Sequence, residues 1–145
     1  MEKIDRQILR LLADDGRMSY TDLGKATGLS TSAVHQRVKR LEERGLITGY
    51  GASIDHAKAG RPLTAFISIT PFDSSAADDY PERLATVEEI ESCWSVAGDE
   101  SYILKIRVPT PADLEELLAR IRALANVSTR TTIVLSTPYE NRPLP

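Results

Sequence analysis

The chain has 145 residues, 41% hydrophobic and 27% charged, with a formal net charge of −3. That composition is globular rather than disordered, and no run of about 18 apolar residues offers a membrane span. The start, MEKIDRQILRLLADDG, alternates apolar with charged residues and reads as neither a signal nor a transit peptide.

Cys93 is the only cysteine, so no intramolecular disulfide is available and a reducing cytoplasm is the expected setting. The charge is unevenly divided. Residues 1–60 hold 10 Lys/Arg and 8 Asp/Glu, net +2, whereas residues 61–145 hold 8 and 13, net −5. A front half that meets an anion, and a back half with another task, would produce this asymmetry.

In IDRQILRLLADDGR, Ile4, Ile8, Leu11 and Leu12 recur at helical spacing, and Gly16 is placed to stop the helix. A second helix follows in SYTDLGKATG, with Ser19 as N-cap, Leu23 and Ala26 on its inner face and Gly28 at its end. Ser30 caps a third, STSAVHQRVKRLEERG, which closes at Gly45. Three helices with a short, glycine-containing turn between the second and third make a helix-turn-helix pattern.

At 100° per residue, Val34, Val38 and Leu41 fall on one stripe, while Ser32, Gln36, Lys39 and Glu43 lie about 140–200° away. His35 and Arg40 flank the outward face, and Arg37 sits nearer the core boundary. A recognition helix needs this division: an apolar anchor, then polar side chains near its start and cations on phosphate. Gln36 suits adenine, Lys39 suits guanine or phosphate, and the Ser30–Thr31–Ser32 start offers free N–H groups to a phosphate. The candidate DNA-binding set is Ser30, Thr31, Ser32, His35, Gln36, Lys39 and Arg40. The plainer alternative is a three-helix interaction module with a solvated charged face.

LITGYGASID changes period, with Thr48, Tyr50, Ala52 and Ile54 alternating, so a short strand or linker ribbon is expected before the turn-rich HAKAGRP. This gives three segments: residues 1–46, a linker strand or hinge over 47–62, and a second domain over 63–145. The second domain opens with the strand LTAFISIT and a helix starting at DDYPERLATV, capped by Asp78 or Asp79. ESCWSVAG and SYILKIRV then form an antiparallel hairpin. TPADLEELLARIRALAN reads as a helix capped by Thr110, with Leu114, Leu117, Leu118, Ile121 and Leu124 inward, and VSTRTTIVLST as a last strand. The order β-α-β-β-α-β is that of a ferredoxin-like α+β sandwich.

Enzyme and metal signatures are missing: no phosphate-cradling glycine loop, no nucleophile elbow, no H-E-x-x-H, and no cysteine–histidine spacing for a metal. Asp99 and Glu100 are adjacent, so on a strand they would face opposite ways. The chain is therefore not expected to be an enzyme. VAGDESYILKI reads either as a bend where Gly98 takes an unusual dihedral and Asp99 satisfies the turn, or as part of a ligand pocket. In the second reading Asp99 addresses an ammonium, backbone N–H groups a carboxylate, and Thr129 and Thr131 supply hydroxyls from the last strand.

Taken together, the helix-turn-helix with AFISI, VAGDESYILKI and TRTTIVL resembles the Lrp/AsnC (leucine- and asparagine-responsive) family of transcription regulators along nearly the whole chain. The resemblance implies a winged helix-turn-helix joined to a βαββαβ RAM domain. It also implies dimers through the C-terminal sheets, assembly often to octamers, no cofactor, and a free amino acid as effector at a dimer–dimer interface. Carried onto this sequence, the effector loop is Gly98, Asp99, Glu100, Ser101 and Tyr102. Many members have an aromatic residue and then aspartate where Glu100 and Ser101 stand. Alternatives from other classes are an architectural DNA-compacting protein with little sequence preference, or a ligand-binding subunit that docks on an enzyme.

Overall fold

A computed structural model describes all residues, Met1–Pro145. The chain forms two compact units, Met1–Ser53 together with Pro138–Pro145, and Ile54–Thr137. No helix is long and apolar enough to cross a membrane.

The first unit holds α1 (Lys3–Asp14), α2 (Tyr20–Thr27) and α3 (Thr31–Glu43). Its core is Ile8, Leu9, Leu23, Val34, Val38 and Leu41, with Leu11, Leu12, Met18, Leu29 and Ile47 packed around it. Burying each such side chain contributes roughly 1.5–3 kcal/mol relative to leaving it exposed. Ser19 caps α2 by accepting from the Asp22 N–H at 3.0 Å, and Gly28 ends it in the left-handed region at φ 76°. The tight join to α3 depends on Gly24, where a Cβ would stand 2.6 Å from the Leu29 carbonyl oxygen. Leu9 and Gly24 are buried and Ala26 is exposed, so the inner faces of α1 and α2 differ in these positions from the periodicity reading.

Residues 48–54 form no strand. The alternation of Thr48, Tyr50, Ala52 and Ile54 is present, but a strand is made by ladder hydrogen bonds and this stretch makes none within the chain. The expected linker strand is thus an extended, exposed segment followed by a turn at residues 56–60. Residues 138–145, read from sequence as the end of the second domain, group with the helices of the first unit.

In the second unit, β1 (Leu63–Pro71), α4 (Tyr80–Leu84), β2 (Ile90–Ser95), β3 (Tyr102–Val108), α5 (Pro111–Ala125) and β4 (Val127–Ile133) follow the expected order. The sheet runs β2-β3-β1-β4, with every pairing antiparallel and β1 bonded on both sides. Period-2 alternation sends Ala65, Ile67 and Ile69 of β1, and Tyr102, Leu104, Ile106 and Val108 of β3, into one buried layer. Leu114, Leu117, Ile121 and Ala125 of α5, with Tyr80 and Leu84 of α4, complete that layer. Thr110 caps α5, accepting from the Asp113 N–H at 3.2 Å, and Pro111 fills its first turn. Leu124, expected inward, is 44% exposed. Ala125 takes its place, because Leu124 lies about 80° off the stripe through Leu114 and Ala125 stays on it. The opposite sheet face carries Phe66, Ile103 and a half-exposed Trp94, with Phe66 and Trp94 stacked at 6.5 Å between centroids.

Candidate nucleic-acid interface and ligand-binding region

Helix α3 begins with a built cap. Ser30 accepts from the Ala33 N–H at 3.2 Å, and its hydroxyl lies 3.3 Å from that of Ser32. This satisfies one of the free donors of the first turn and leaves others facing outward. Val34, Val38 and Leu41 are buried almost completely, which anchors one face of the helix. Ser30, Thr31, Ser32, His35, Gln36, Lys39 and Arg40 are all exposed, and Gln36, Lys39, Arg40 and Glu43 flank one shallow groove. Of the seven residues expected to touch a polyanion, all are solvent-exposed and three, Gln36, Lys39 and Arg40, border this groove.

Two sets of contacts beside this surface were not legible in the sequence. Tyr20, at the start of α2, packs edge-to-face on His35 with centroids 5.1 Å apart, holding that imidazole at the exposed side of α3. Arg37 does not belong to the face. Its Nη1 donates to Asp5 Oδ1 at 2.9 Å, and both Nη1 and Nη2 donate to Glu2 Oε2 at 3.3 Å. The Asp5 hydrogen bond, aided by Glu2 and opposed by partial burial, holds the guanidinium pKa above its ordinary value. Glu42 is engaged as well, since the Tyr50 hydroxyl donates to its Oε1 at 2.9 Å. Partial burial and this bond push the Tyr50 hydroxyl up to about 12.

The second region is the bend between β2 and β3. The Val96 N–H donates to the Ser101 carbonyl at 3.1 Å, and the Ser101 N–H to the Ile69 carbonyl at 3.0 Å, tying the bend to β1. Gly98 and Asp99 are exposed, while Glu100 and Ser101 are half-buried. Gly98 is not in the left-handed region, so the unusual dihedral expected for it is absent. Tyr102 points into the buried layer. Its hydroxyl donates to Asp78 Oδ1 at 2.7 Å, its ring meets Tyr80 edge-to-face at 6.3 Å, and the Asp78 bond first, then burial, pushes its pKa up to about 12. Tyr102, expected in the effector loop, is the base of the bend, where β3 begins.

Thr129 and Thr131 stand on the helix-covered face of β4, opposite Ile69 and Ile67. Tyr102 also pairs with Ile69, so Thr129 lies two strand spacings, roughly 9.5 Å, from the foot of the bend. The Thr129 hydroxyl accepts from Arg122 at 3.4 Å. Within one chain, then, Gly98–Ser101 come together, while the two threonines belong to a separate strip of the sheet. No group of three or more acidic, histidine or cysteine side chains is arranged to hold a metal ion.

Both regions lie in segments that match known families. Residues 1–48 match the model for winged helix-turn-helix DNA-binding domains, and residues 64–144 the model for the Lrp/AsnC ligand binding domain. The chain is 52% identical over 142 residues to the HTH-type transcriptional regulator LrpA of Mycobacterium tuberculosis, covering 98% of this chain and 95% of that protein. It is 38% identical over 141 residues to the leucine-responsive regulatory protein of Escherichia coli K12, covering 93% and 85%. Among solved structures, a feast or famine regulatory protein from M. tuberculosis complexed with L-methionine superimposes with a TM-score of 0.94 at 52% identity, covering 99% of this chain and 97% of that one. AsnC of E. coli matches with a TM-score of 0.85 at 29% identity, covering 97% and 95%.

Proposed function

The chain belongs to the Lrp/AsnC family of transcription regulators, and from that premise we propose a sequence-specific DNA-binding regulator whose output is set by a free amino acid. Its DNA-binding and ligand-binding domains make it a regulator rather than an enzyme. The observation that carries the finer reading is the seven-residue polar surface of α3 over its Val34–Val38–Leu41 anchor. Gln36 and Lys39 read base edges or phosphate, and Ser30–Ser32 present the helix start to the backbone. A dimer places two such helices about 34 Å apart, in successive major grooves. The half-exposed sheet face around Phe66, Ile103 and Trp94 is where two copies join, and dimers assemble further, to an octamer. The setting is the cytoplasm, on the nucleoid.

The effector binds at the β2–β3 bend, with Asp99 taking the ammonium and exposed backbone N–H groups near Gly98 the carboxylate. Since Thr129 and Thr131 lie apart from the bend in one chain, hydroxyls reach the ligand from a neighbouring copy. The M. tuberculosis structure with L-methionine supports an amino acid as the ligand class. No further cofactor enters this scheme. The ligand acts by binding one assembly state better than another, which shifts the population.

Footprinting over a series of salt concentrations, on DNA enriched by the protein from a random pool, tests the DNA arm. Lys39→Ala should reduce the slope of log affinity against log salt by about 0.9, and Gln36→Ala should cost about 1–3 kcal/mol of base discrimination. Equal affinity for enriched and random DNA would favour the architectural reading instead. Calorimetry across the twenty amino acids, repeated with Asp99→Ala, tests the effector arm. Loss of a charge-assisted bond of about 1.5–3 kcal/mol should weaken binding at least tenfold, and an unchanged Kd would remove Asp99 from the site.

A further inference from the structure

Helix α3 and its C-cap carry four cations, Arg37, Lys39, Arg40 and Arg44, yet they are not equivalent. Arg37 leaves the helix between about 100° and 160° away from Gln36 and Lys39, so it cannot enter the same groove with them. Its side chain is 22% exposed and Asp5's 12%, and Asp5 is the buried charged residue of this unit. Both carboxylates that hold it come from the beginning of α1: Glu2 at the N-cap position and Asp5 in the first turn. Negative charge is favoured there by the helix dipole, so both acids are stabilised where they stand.

The apolar anchor is a less directional constraint on how α3 sits than an ion pair. Val34, Val38, Leu41, Ile8 and Leu9 share one core, and burial of apolar surface carries no preferred angle of its own. A guanidinium gripped by two carboxylates is directional, because its N–H groups form a planar fork. A roll that moved Gln36 by about 1 Å would take its amide out of hydrogen-bond range of a base edge.

We infer that Arg37 is a positioning residue for DNA reading: the Glu2–Asp5–Arg37 clamp sets the roll of α3 against α1, and with it the base discrimination of the reading face, without Arg37 touching DNA. The inference rests on the sequence-specific DNA-binding reading above and assigns part of that specificity to three residues outside the groove.

The test uses the full chain, the duplex it enriches from a random pool, and random duplex as competitor, over a series of salt concentrations. Arg37→Met should lower the ratio of specific to random affinity about tenfold and leave the salt slope within about 0.3 of wild type, since no phosphate contact is lost. Asp5→Asn gives an opposed readout. Removing an acid from a DNA-binding unit should tighten binding by charge alone, whereas loss of the clamp should weaken specific binding severalfold. If Arg37→Met does not fold, as judged by its circular dichroism melt, Arg37→Lys keeps the charge without the fork and should show the same loss of ratio.

A slope reduced by about 0.9 would make Arg37 a phosphate contact and overturn the inference, as would an unchanged ratio or tighter specific binding by Asp5→Asn. Residual dipolar couplings of the DNA-free variant supply an arm independent of any DNA site. The orientation of α3 relative to α1 should change, and an unchanged orientation overturns the clamp even if no duplex is enriched. Failure of enrichment with a changed orientation would count against the sequence-specific reading alone.

Discussion

The reading face of α3 and the bend between β2 and β3 were both grouped from sequence, and the fold treats them differently. At α3, all seven grouped residues are exposed and three of them line one groove, because a helix turns spacing directly into direction. At the bend, five residues are consecutive and stay together, but the two threonines recruited from β4 are separated from them by the whole of β1. Sequence spacing says which face of a strand a residue occupies; strand order, which spacing does not contain, says who its neighbours are. A site on one helix is therefore readable in one chain, whereas a site spread over a sheet needs the topology first.

The contrast can be broken most forcefully at the two cores. Leu104→Ala, at a fully buried place between β1 and β2, should destabilise the second unit by about 2–5 kcal/mol. Amide exchange should report the loss in Ile54–Thr137 alone; equal loss of protection in α1–α3 would show that the units do not unfold separately. Gly24→Ala is the counterpart in the first unit, where the added Cβ must displace the Leu29 carbonyl. It should cost about 1–3 kcal/mol and abolish specific DNA binding, with the melt of the second unit unchanged. Ser30→Ala removes the cap of α3 and should cost about 1 kcal/mol in urea unfolding while weakening DNA binding.

The smallest effect is a titration with one reporter in each unit. Of the five tyrosines, Tyr50 and Tyr102 are the two pushed up to about 12. Unfolded tyrosine ionises near pH 10, so both hydroxyls favour the fold fully below pH 10 and lose that contribution as pH rises from 10 through 12. Tyrosinate absorbance should show two late groups, one removed by Tyr50→Phe and the other by Tyr102→Phe. Glu42→Gln should move the Tyr50 step towards 10 and leave the Tyr102 step in place.

Helix ends were legible because their signals are local: Ser19, Ser30 and Thr110 each cap the helix they precede. The α+β sandwich followed from the succession of elements. What stayed hidden was set by distant partners. Nothing in the neighbourhood of Arg37 announces that Asp5 and Glu2, more than thirty residues earlier, engage it. Gly24 looks like an interruption in α2 until the Leu29 carbonyl beside it is seen. The alternation over 48–54 promised a strand, but alternation describes side chains and a strand requires a backbone partner.

The return of Pro138–Pro145 to the first unit has a practical consequence. The DNA-reading unit is discontinuous: its polypeptide is interrupted by the entire ligand-binding unit and resumes only at the end. Leu144 borders the hollow formed by Leu9, Leu12 and Ile47, so a fragment ending at Ser53 would lack that contact. A fragment that keeps this contact needs residues 138–145 as well as the three helices.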